Sequence, residues 1–332
     1  MSCPKKKCRD NGATNQNPIM LGLTTSNSEC ADGLNRLDGE PCASSLMILG
    51  IKQFIESKSG AFDTSTPAKT ISAATQITEC SSEFCVANKP EVRRFITEKS
   101  RIMSQHQLDA EKATRYKVEG PRNSRDLVSN TNIDGCLQSW ARSHPEFYPC
   151  RFAMMDFDTN GDQFGDFDFR AMLEGRLAAN LGRAVGAVRR KFSCFGCVVN
   201  TDVSRGPGKH WVCVFVDCRP PPGEPWTIEY FNSSGNPPSR VMIAWMTRVR
   251  FQLLDFRSKL PGGLTTFNPV IAVPVTDITH QNGNTECGVY ALFYIRRRLE
   301  GLSHSAFNTH PVSDKEMSCF RRHLFRDCAA SR

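Results

Sequence analysis

No apolar run in this 332-residue chain approaches the ~18 residues that a membrane-spanning helix needs, so a helical membrane protein is excluded. The basic start, Met1-Ser2-Cys3-Pro4-Lys5-Lys6-Lys7-Cys8, leads into no apolar segment. It does not read as a secretory signal, and the expectation is an intracellular chain with no membrane partner. A nucleic-acid-binding fold signature is also missing. The formal charge of +8 is spread over Lys5-Lys6-Lys7, Arg93-Arg94, Arg189-Arg190-Lys191 and Arg296-Arg297-Arg298. These clusters read first as solvated surface, and only second as a weak contact with nucleic acid. Metal-ligand spacing is lacking as well. Cys3/Cys8 and Cys80/Cys85 are wider pairs than zinc sites prefer, and no matched partners accompany them. Asp156-Phe157-Asp158-Thr159-Asn160-Gly161-Asp162 imitates a calcium loop, but its twelfth position is Phe167 rather than a bidentate glutamate. No metal is expected.

Cysteine, by contrast, is abundant at 15, an odd number. In a reducing compartment these are expected to be mostly free thiols rather than a disulfide framework. The 39% hydrophobic fraction is that of a globular protein with a sizeable core. Residues 1–120 read as an accessory region. The first forty are rich in Asn, Ser, Gly and Asp and suggest a flexible arm. Helical spacing appears over Leu46–Ser57 and in one or two helices over Pro90–Tyr116, and Pro121-Arg122-Asn123-Ser124 suits a linker.

From 121 to 332 the texture is that of a second, larger domain. A helix containing Trp140 follows Ser129, and a helical pattern runs over Phe169–Arg190. Phe192–Asn200 is strand-like and carries Cys194-Phe195-Gly196-Cys197, two ordinary strand thiols. His210–Asp217 is a strand apolar on both faces, hence central. The Pro-rich turn Pro220-Pro221-Pro222-Gly223 returns the chain through Trp226–Phe231, which ends at Asn232-Ser233-Ser234-Gly235. A histidine at the start of one strand and a carboxamide at the end of its antiparallel neighbour meet at one sheet edge. Ser239–Lys259 is a long amphipathic helix, and Val270–Thr276 a third strand. Gly262-Gly263 between them is an ordinary loop.

The stretch that organises the rest is His280-Gln281-Asn282-Gly283-Asn284-Thr285-Glu286-Cys287-Gly288. An Asn-Gly turn delivers Cys287 to the first turn of an apolar helix. Unpaired N–H groups and the positive dipole end favour an anion there, which biases a thiol toward thiolate. Arg296-Arg297-Arg298 fall in the last turn, and Gly301 can cap it. Gln281 can reach back over the turn and donate to an oxyanion beside the Cys287 N–H.

The order His210-Trp211, then Tyr230-Phe231-Asn232-Ser233, then Gln281 and Cys287-Gly288 at the head of a helix resembles the SUMO-specific protease and adenain group of cysteine peptidases. Gln281-Asn282-Gly283 with Glu286-Cys287-Gly288-Val289-Tyr290 is most similar to the polyprotein-processing proteases of large DNA viruses, of African swine fever virus type. Ser129-Asn130-x-x-Ile133-Asp134 resembles the helix that opens their catalytic domain. The resemblance covers about residues 124–305. It implies an α+β, papain-like fold with a central mixed sheet, the nucleophile at a helix N-terminus, and an N-terminal region outside the catalytic domain. It further implies Cys287 as nucleophile, His210 as base and Asn232 as the group orienting the imidazole. Gln281 and the Cys287 N–H would form the oxyanion hole, with Trp211 beside the cleft and no cofactor. The implied substrate is a protein cut after Gly-Gly, such as a viral structural polyprotein during virion maturation. The implied setting is host cytoplasm, viral factory or virion. The alternatives are a SUMO-type deconjugating protease, a catalytically idle binding or virion-structural protein, and an acyltransferase using the same site. The intact His-Asn-Gln-Cys set argues against the idle protein.

Overall fold

The computed structural model describes residues 17–20, 29–121 (apart from 32, 35, 36 and 38), 126–260 and 269–326. The expected linker over 122–124, the Gly262-Gly263 loop, Lys5-Lys6-Lys7 and the Cys3/Cys8 pair lie outside the described residues.

Five helices make up the N-terminal region: α1 (Ser45–Glu56), α2 (Pro67–Thr78), α3 (Glu83–Asn88), α4 (Pro90–Arg94), continued by a π-helical turn, and α5 (Gln105–Arg115). The starts of α1, α2, α3 and α5 are written locally. Ser44, Thr66, Ser82 and Ser104 each accept a bond from the first-turn backbone, and Ser104 completes a capping box with Gln107. Met47, Ile51, Phe54, Ala74, Val92, Ile96 and Tyr116 fill a small apolar cluster of their own. Two disulfides cross it, Cys30–Cys42 and Cys80–Cys85. The expectation of free thiols fails in this region, because the fold brings the Cα atoms of each pair to 5.0 and 5.6 Å. With both sulfurs engaged, Cys80 and Cys85 cannot serve as a metal pair.

A two-residue strand, β1 (Val118–Glu119), leads out of this region, and α6 (Asn130–Ser143) opens the larger one behind a capping box of Ser129 and Asn132. Strands β2 (Phe147–Pro149) and β3 (Ala153–Met154) follow, then α7 (Phe169–Glu174). The helix expected over Phe169–Arg190 stops here, since Gly175 takes a left-handed C-cap at φ +79°. The remainder forms a hairpin of β4 (Ala178–Asn180) and β5 (Ala187–Arg189). Next come β6 (Cys194–Asn200), β7 (Trp211–Asp217), β8 (Trp226–Phe231), α8 (Arg240–Ser258), β9 (Val270–Val275), α9 (Cys287–Leu299), α10 (His304–Phe307), α11 (Asp314–Leu324) and β10 (Phe325–Arg326).

The mixed sheet runs β2-β6-β7-β8-β9, with β3 also on β6. β6, β7 and β8 are antiparallel, whereas β2, β3 and β9 join in parallel. Consecutive residues of a strand face opposite ways. On β6, Phe195 meets Phe164, Phe167 and Phe169, which in part reach Trp245 of α8, while Gly196 abuts Ile295 of α9. The sheet is therefore covered by α8 and an aromatic loop on one face and by α9 on the other. That explains why β7 is buried along most of its length.

The calcium-like loop supplies much of this aromatic cover. One of its acids ties it to the loop between β6 and β7, and another serves its own turn. Asp156 accepts from the Ser204 N–H and Oγ, and Asp162 from the Phe164 N–H. Among the described residues no group of three acidic, histidine or cysteine side chains is placed to hold a metal ion. Behind β7 and β8 lies a buried ionic knot. Arg298 bridges Glu229 at 2.8 Å and Asp217 at 3.0 Å, Tyr294 Oη donates to Glu229, and Arg219 forks onto Asp217. The terminal arginines of α9 are thus spent on internal pairs, Arg297 with Glu300 as well.

The N-terminal segment departs from the expected arm where it is described. Ile19 is fully buried in the apolar core around the sheet, and Asn17 Nδ2 donates to the Pro311 carbonyl at 2.8 Å. The chain end returns likewise: β10 pairs in parallel with β1, and the Arg326 guanidinium sits 3.6 Å from the Phe84 ring centroid. No described helix is long and apolar enough to cross a membrane.

Candidate active site

His210 stands immediately before β7 and Asn232 immediately after β8, so antiparallel pairing brings them to one end of the sheet. His210 Nε2 lies 2.8 Å from Asn232 Oδ1. The roles in this contact follow from the amide's other partners. Asn232 Nδ2 faces the Asn236 carbonyl at 3.0 Å, and Oδ1 receives the Ser234 N–H at 3.1 Å and Oγ–H at 2.8 Å. Only a donor can face a carbonyl, so the oxygen faces the imidazole, and Nε2 carries the proton. Nδ1 is left as the basic nitrogen. The carboxamide, only 3% exposed, cannot flip without breaking several bonds.

Cys287 is the first residue of α9. The backbone N–H groups of Trp211, Gly288 and Cys287 itself favour its thiolate. The Trp211 contact puts the sulfur beside the residue that follows His210, so the cysteine and the histidine sit at one strand end. Trp211 Nε1 donates to the Val128 carbonyl at 3.2 Å, and the indole packs close over Gly288, where an added Cβ would lie 3.2 Å from it. Trp211 therefore braces the start of α9 and joins it to the entry of α6.

One electrostatic expectation is corrected. Burial, at 5% exposure, pushes the Cys287 thiol up, the three N–H groups only partly offset this, and the neighbouring Glu286 carboxylate adds to the rise. Burial thus works against the thiolate that the helix start favours. Glu286 is held by Arg321 of α11 at 2.5 Å, which neutralises its charge one residue from the nucleophile.

Gln281 is 8% exposed and fixed at both ends of its amide. Its Oε1 accepts from Ser233 Oγ at 2.8 Å, and its Nε2 donates to the Gly283 carbonyl at 2.9 Å. The Gln281 backbone N–H also returns to the Ser233 carbonyl, at 2.9 Å. Ser233, Asp314 and Arg321 were not singled out by the sequence reading. Ser233 sat in plain view beside Asn232, but nothing local marks its partner 48 residues away.

The profile of the Ulp1 protease family, C-terminal catalytic domain, matches residues 197–331. The chain is 38% identical over 309 residues to a cysteine protease of African swine fever virus, from a tick isolate of Malawi, covering 93% of this chain and 98% of that protein. The counterpart from a Kenyan pig isolate, named a SUMO-1 cysteine protease, matches to the same extent. In three dimensions the chain matches the crystal structure of the African swine fever virus protease with a TM-score of 0.72 and 37% identity, covering 92% of this chain and 98% of the other. With this identity over nearly the whole of both chains, the chain is a cysteine protease of the Ulp1 family, a member of it together with the African swine fever virus enzyme.

Proposed function

We propose that this cysteine protease is an endopeptidase cutting protein substrates after Gly-Gly, in the processing of a viral structural polyprotein during virion maturation. The single observation that carries the site assignment is the His210–Asn232 bond at 2.8 Å, beside a cysteine sulfur that faces the Trp211 N–H. His210 Nδ1 takes the Cys287 proton, or already holds it as an imidazolium–thiolate pair, as the sulfur attacks the scissile carbonyl carbon. The carbonyl π electrons move to oxygen, where the Cys287 N–H and Gln281 receive the charge. Collapse expels the amine with the imidazolium's proton and leaves a thioester, which a water deprotonated by His210 then hydrolyses. Asn232 holds the tautomer that makes both transfers possible. Trp211 is assigned to the wall of the cleft.

Residues 1–120 serve as accessory region and 121–332 as catalytic domain, a division supported by two apolar clusters, although Ile19, Met20 and Val118 of the first stretch join the larger one. The working place is host cytoplasm, viral factory or virion. Weak contact with nucleic acid would rest on the clusters Lys5-Lys6-Lys7, Arg93-Arg94 and Arg189-Arg190-Lys191 rather than on Arg297 and Arg298, which are already in internal ion pairs. A deconjugating activity on a SUMO-type modifier is the second reading, favoured by the relative known as a SUMO-1 cysteine protease. Incubation with Gly-Gly-X peptides, a polyprotein fragment and a modifier conjugate, with products read by mass, tests both. Cleavage after Gly-Gly in the peptide and polyprotein is expected, and cleavage of the conjugate alone would favour the second reading.

A further inference from the structure

The Gln281 amide is only as well placed as the loop that carries it. One of its two N–H bonds is tied to the Gly283 carbonyl, leaving the other as the donor for an oxyanion. The Gly283 peptide is in turn held from α11. Asp314 Oδ2 accepts the Gly283 N–H at 2.8 Å and the Asn282 N–H at 3.2 Å. The second carboxylate oxygen lies 3.0 Å from the hydroxyl of Tyr290, a residue of the helix that Cys287 opens. A carboxylate in the first turn of a helix is ordinarily explained by the dipole and the free N–H groups there. Here that explanation is already used up. Ser313 and Glu316 form a complete capping box on α11, and the Asp314 carboxylate is bonded across to a different segment instead.

We infer that Asp314 is a positioning residue for the oxyanion site: its carboxylate clamps the Asn282–Gly283 peptides to α9 and α11, and so fixes the amide of Gln281. The inference rests on the protease reading. It makes α11, which follows the nucleophile helix in the chain, part of the machinery rather than an appended support.

The test compares Asp314→Ala, Asp314→Asn, Gln281→Ala and the double variant Gln281→Ala/Asp314→Ala in the full chain on one Gly-Gly-X peptide. Thermal unfolding and the iodoacetamide rate of Cys287 are followed in parallel. Misplacement of a positioned group costs up to about 100-fold, so Asp314→Ala is expected to lower kcat by about 10- to 100-fold with KM nearly unchanged. The alkylation rate should hold, since the thiol and imidazole are untouched. Asp314→Asn, which keeps one acceptor oxygen, should fall between. In the Gln281→Ala background the same change should cost less than about threefold, because groups acting as a unit are not additive. A full, multiplicative loss in that background, or an unaltered kcat in Asp314→Ala, would overturn the inference. Should Asp314→Ala fail to fold, Tyr290→Phe keeps the ring and removes only the hydroxyl, and the same non-additivity with Gln281→Ala is then required. Hydrolysis that persists in Cys287→Ala would instead sink the protease reading itself.

Discussion

The two halves of this molecule treat the same element, sulfur, in opposite ways. In the helical N-terminal region every described cysteine is oxidised, in Cys30–Cys42 and Cys80–Cys85. Around the sheet, seven of the described cysteines are buried and outside any disulfide, Cys136, Cys150, Cys194, Cys197, Cys213, Cys218 and Cys287, although Cys319 is itself disulfide-bonded. The small helical cluster has little apolar area to spare and gains from cross-links that restrict the unfolded chain. The sheet region is sealed by aromatic and aliphatic packing on both faces and needs none there. Burial pushes the thiols of Cys197, Cys213 and Cys218 far up. Cys287 is raised as well, but it has three backbone N–H groups aimed at it. What singles out Cys287 among these thiols is therefore directed hydrogen bonding from the backbone rather than exposure.

The comparison is broken most severely by deleting the Cys287 sulfur from one half and a whole disulfide from the other. Cys287→Ala should abolish peptide hydrolysis, a loss on the order of 10⁴-fold or more, since nothing else can form the thioester. Cys80→Ser/Cys85→Ser should leave kcat on a short peptide unchanged and lower stability by about 2–4 kcal/mol. Residual turnover in the first variant, or lost turnover in the second, would contradict the separation of chemistry from cross-linking. Ion pairs offer the next contrast. Arg298→Ala leaves Glu229, fully buried, and Asp217 without their shared cation and should cost about 3–5 kcal/mol. Arg93→Ala opens a pair whose Asp109 partner is 55% exposed, and should cost less than about 1 kcal/mol in urea unfolding. Gln281→Ala removes one oxyanion donor and should lower kcat by about 10²–10³-fold while leaving the fold intact.

The parts of this design that were legible in the sequence are those written in contiguous residues. The strands around His210 and Asn232, the amphipathic α8 and the apolar α9 follow from periodicity and turn residues, and the order of the four site residues followed with them. What escaped is long-range. Asp314 looks like an ordinary helix-start acid until the fold sets it against Gly283. The disulfide partners are meaningful only once α1 to α5 have packed. The ionisation of Cys287 depends on how deeply the helix start is buried, which no local pattern reports. The hairpin over residues 178–189 was hidden for a different reason: Gly175 marked the end of α7, but the apolar spacing beyond it imitated a helix.

Acid should separate the halves more gently. Burial pushes the His280 imidazole, 2% exposed between the Gln281 loop and the Val312 N–H, down to about 4 from its ordinary 6.5, while its bond to the Phe307 carbonyl partly opposes this. The folded state thus refuses a proton that the unfolded chain accepts below pH 6.5. The stability is complete above that pH and declines as pH falls toward 4, by about 3 kcal/mol in all. Melting of the catalytic half should follow this slope, and His280→Gln should flatten it. An equally steep slope in that variant would place the acid sensitivity elsewhere.

The smallest effect is expected within the triad, at Asn232→Asp. Two consequences oppose each other. A carboxylate beside Nε2 stabilises the imidazolium that forms when Cys287 gives up its proton. The same change, however, removes the amide N–H bonded to the Asn236 carbonyl at 3.0 Å and sets an anionic oxygen against that carbonyl. Tyr230 Oη, at 3.3 Å, can turn its proton toward the new oxygen and recover part of the loss. The expected kcat/KM is within about tenfold of the parent, since gain and loss are each worth about one hydrogen bond to a charged group. The direction of the pH profile is less ambiguous than the rate. The neighbouring anion raises the imidazole's pKa, and the base must be unprotonated to accept the thiol proton, so the acidic limb of kcat/KM should move to higher pH. A limb that stays put while kcat/KM falls more than a hundredfold would mean that the Asn236 bond, not the charge next to His210, governs this end of the strand.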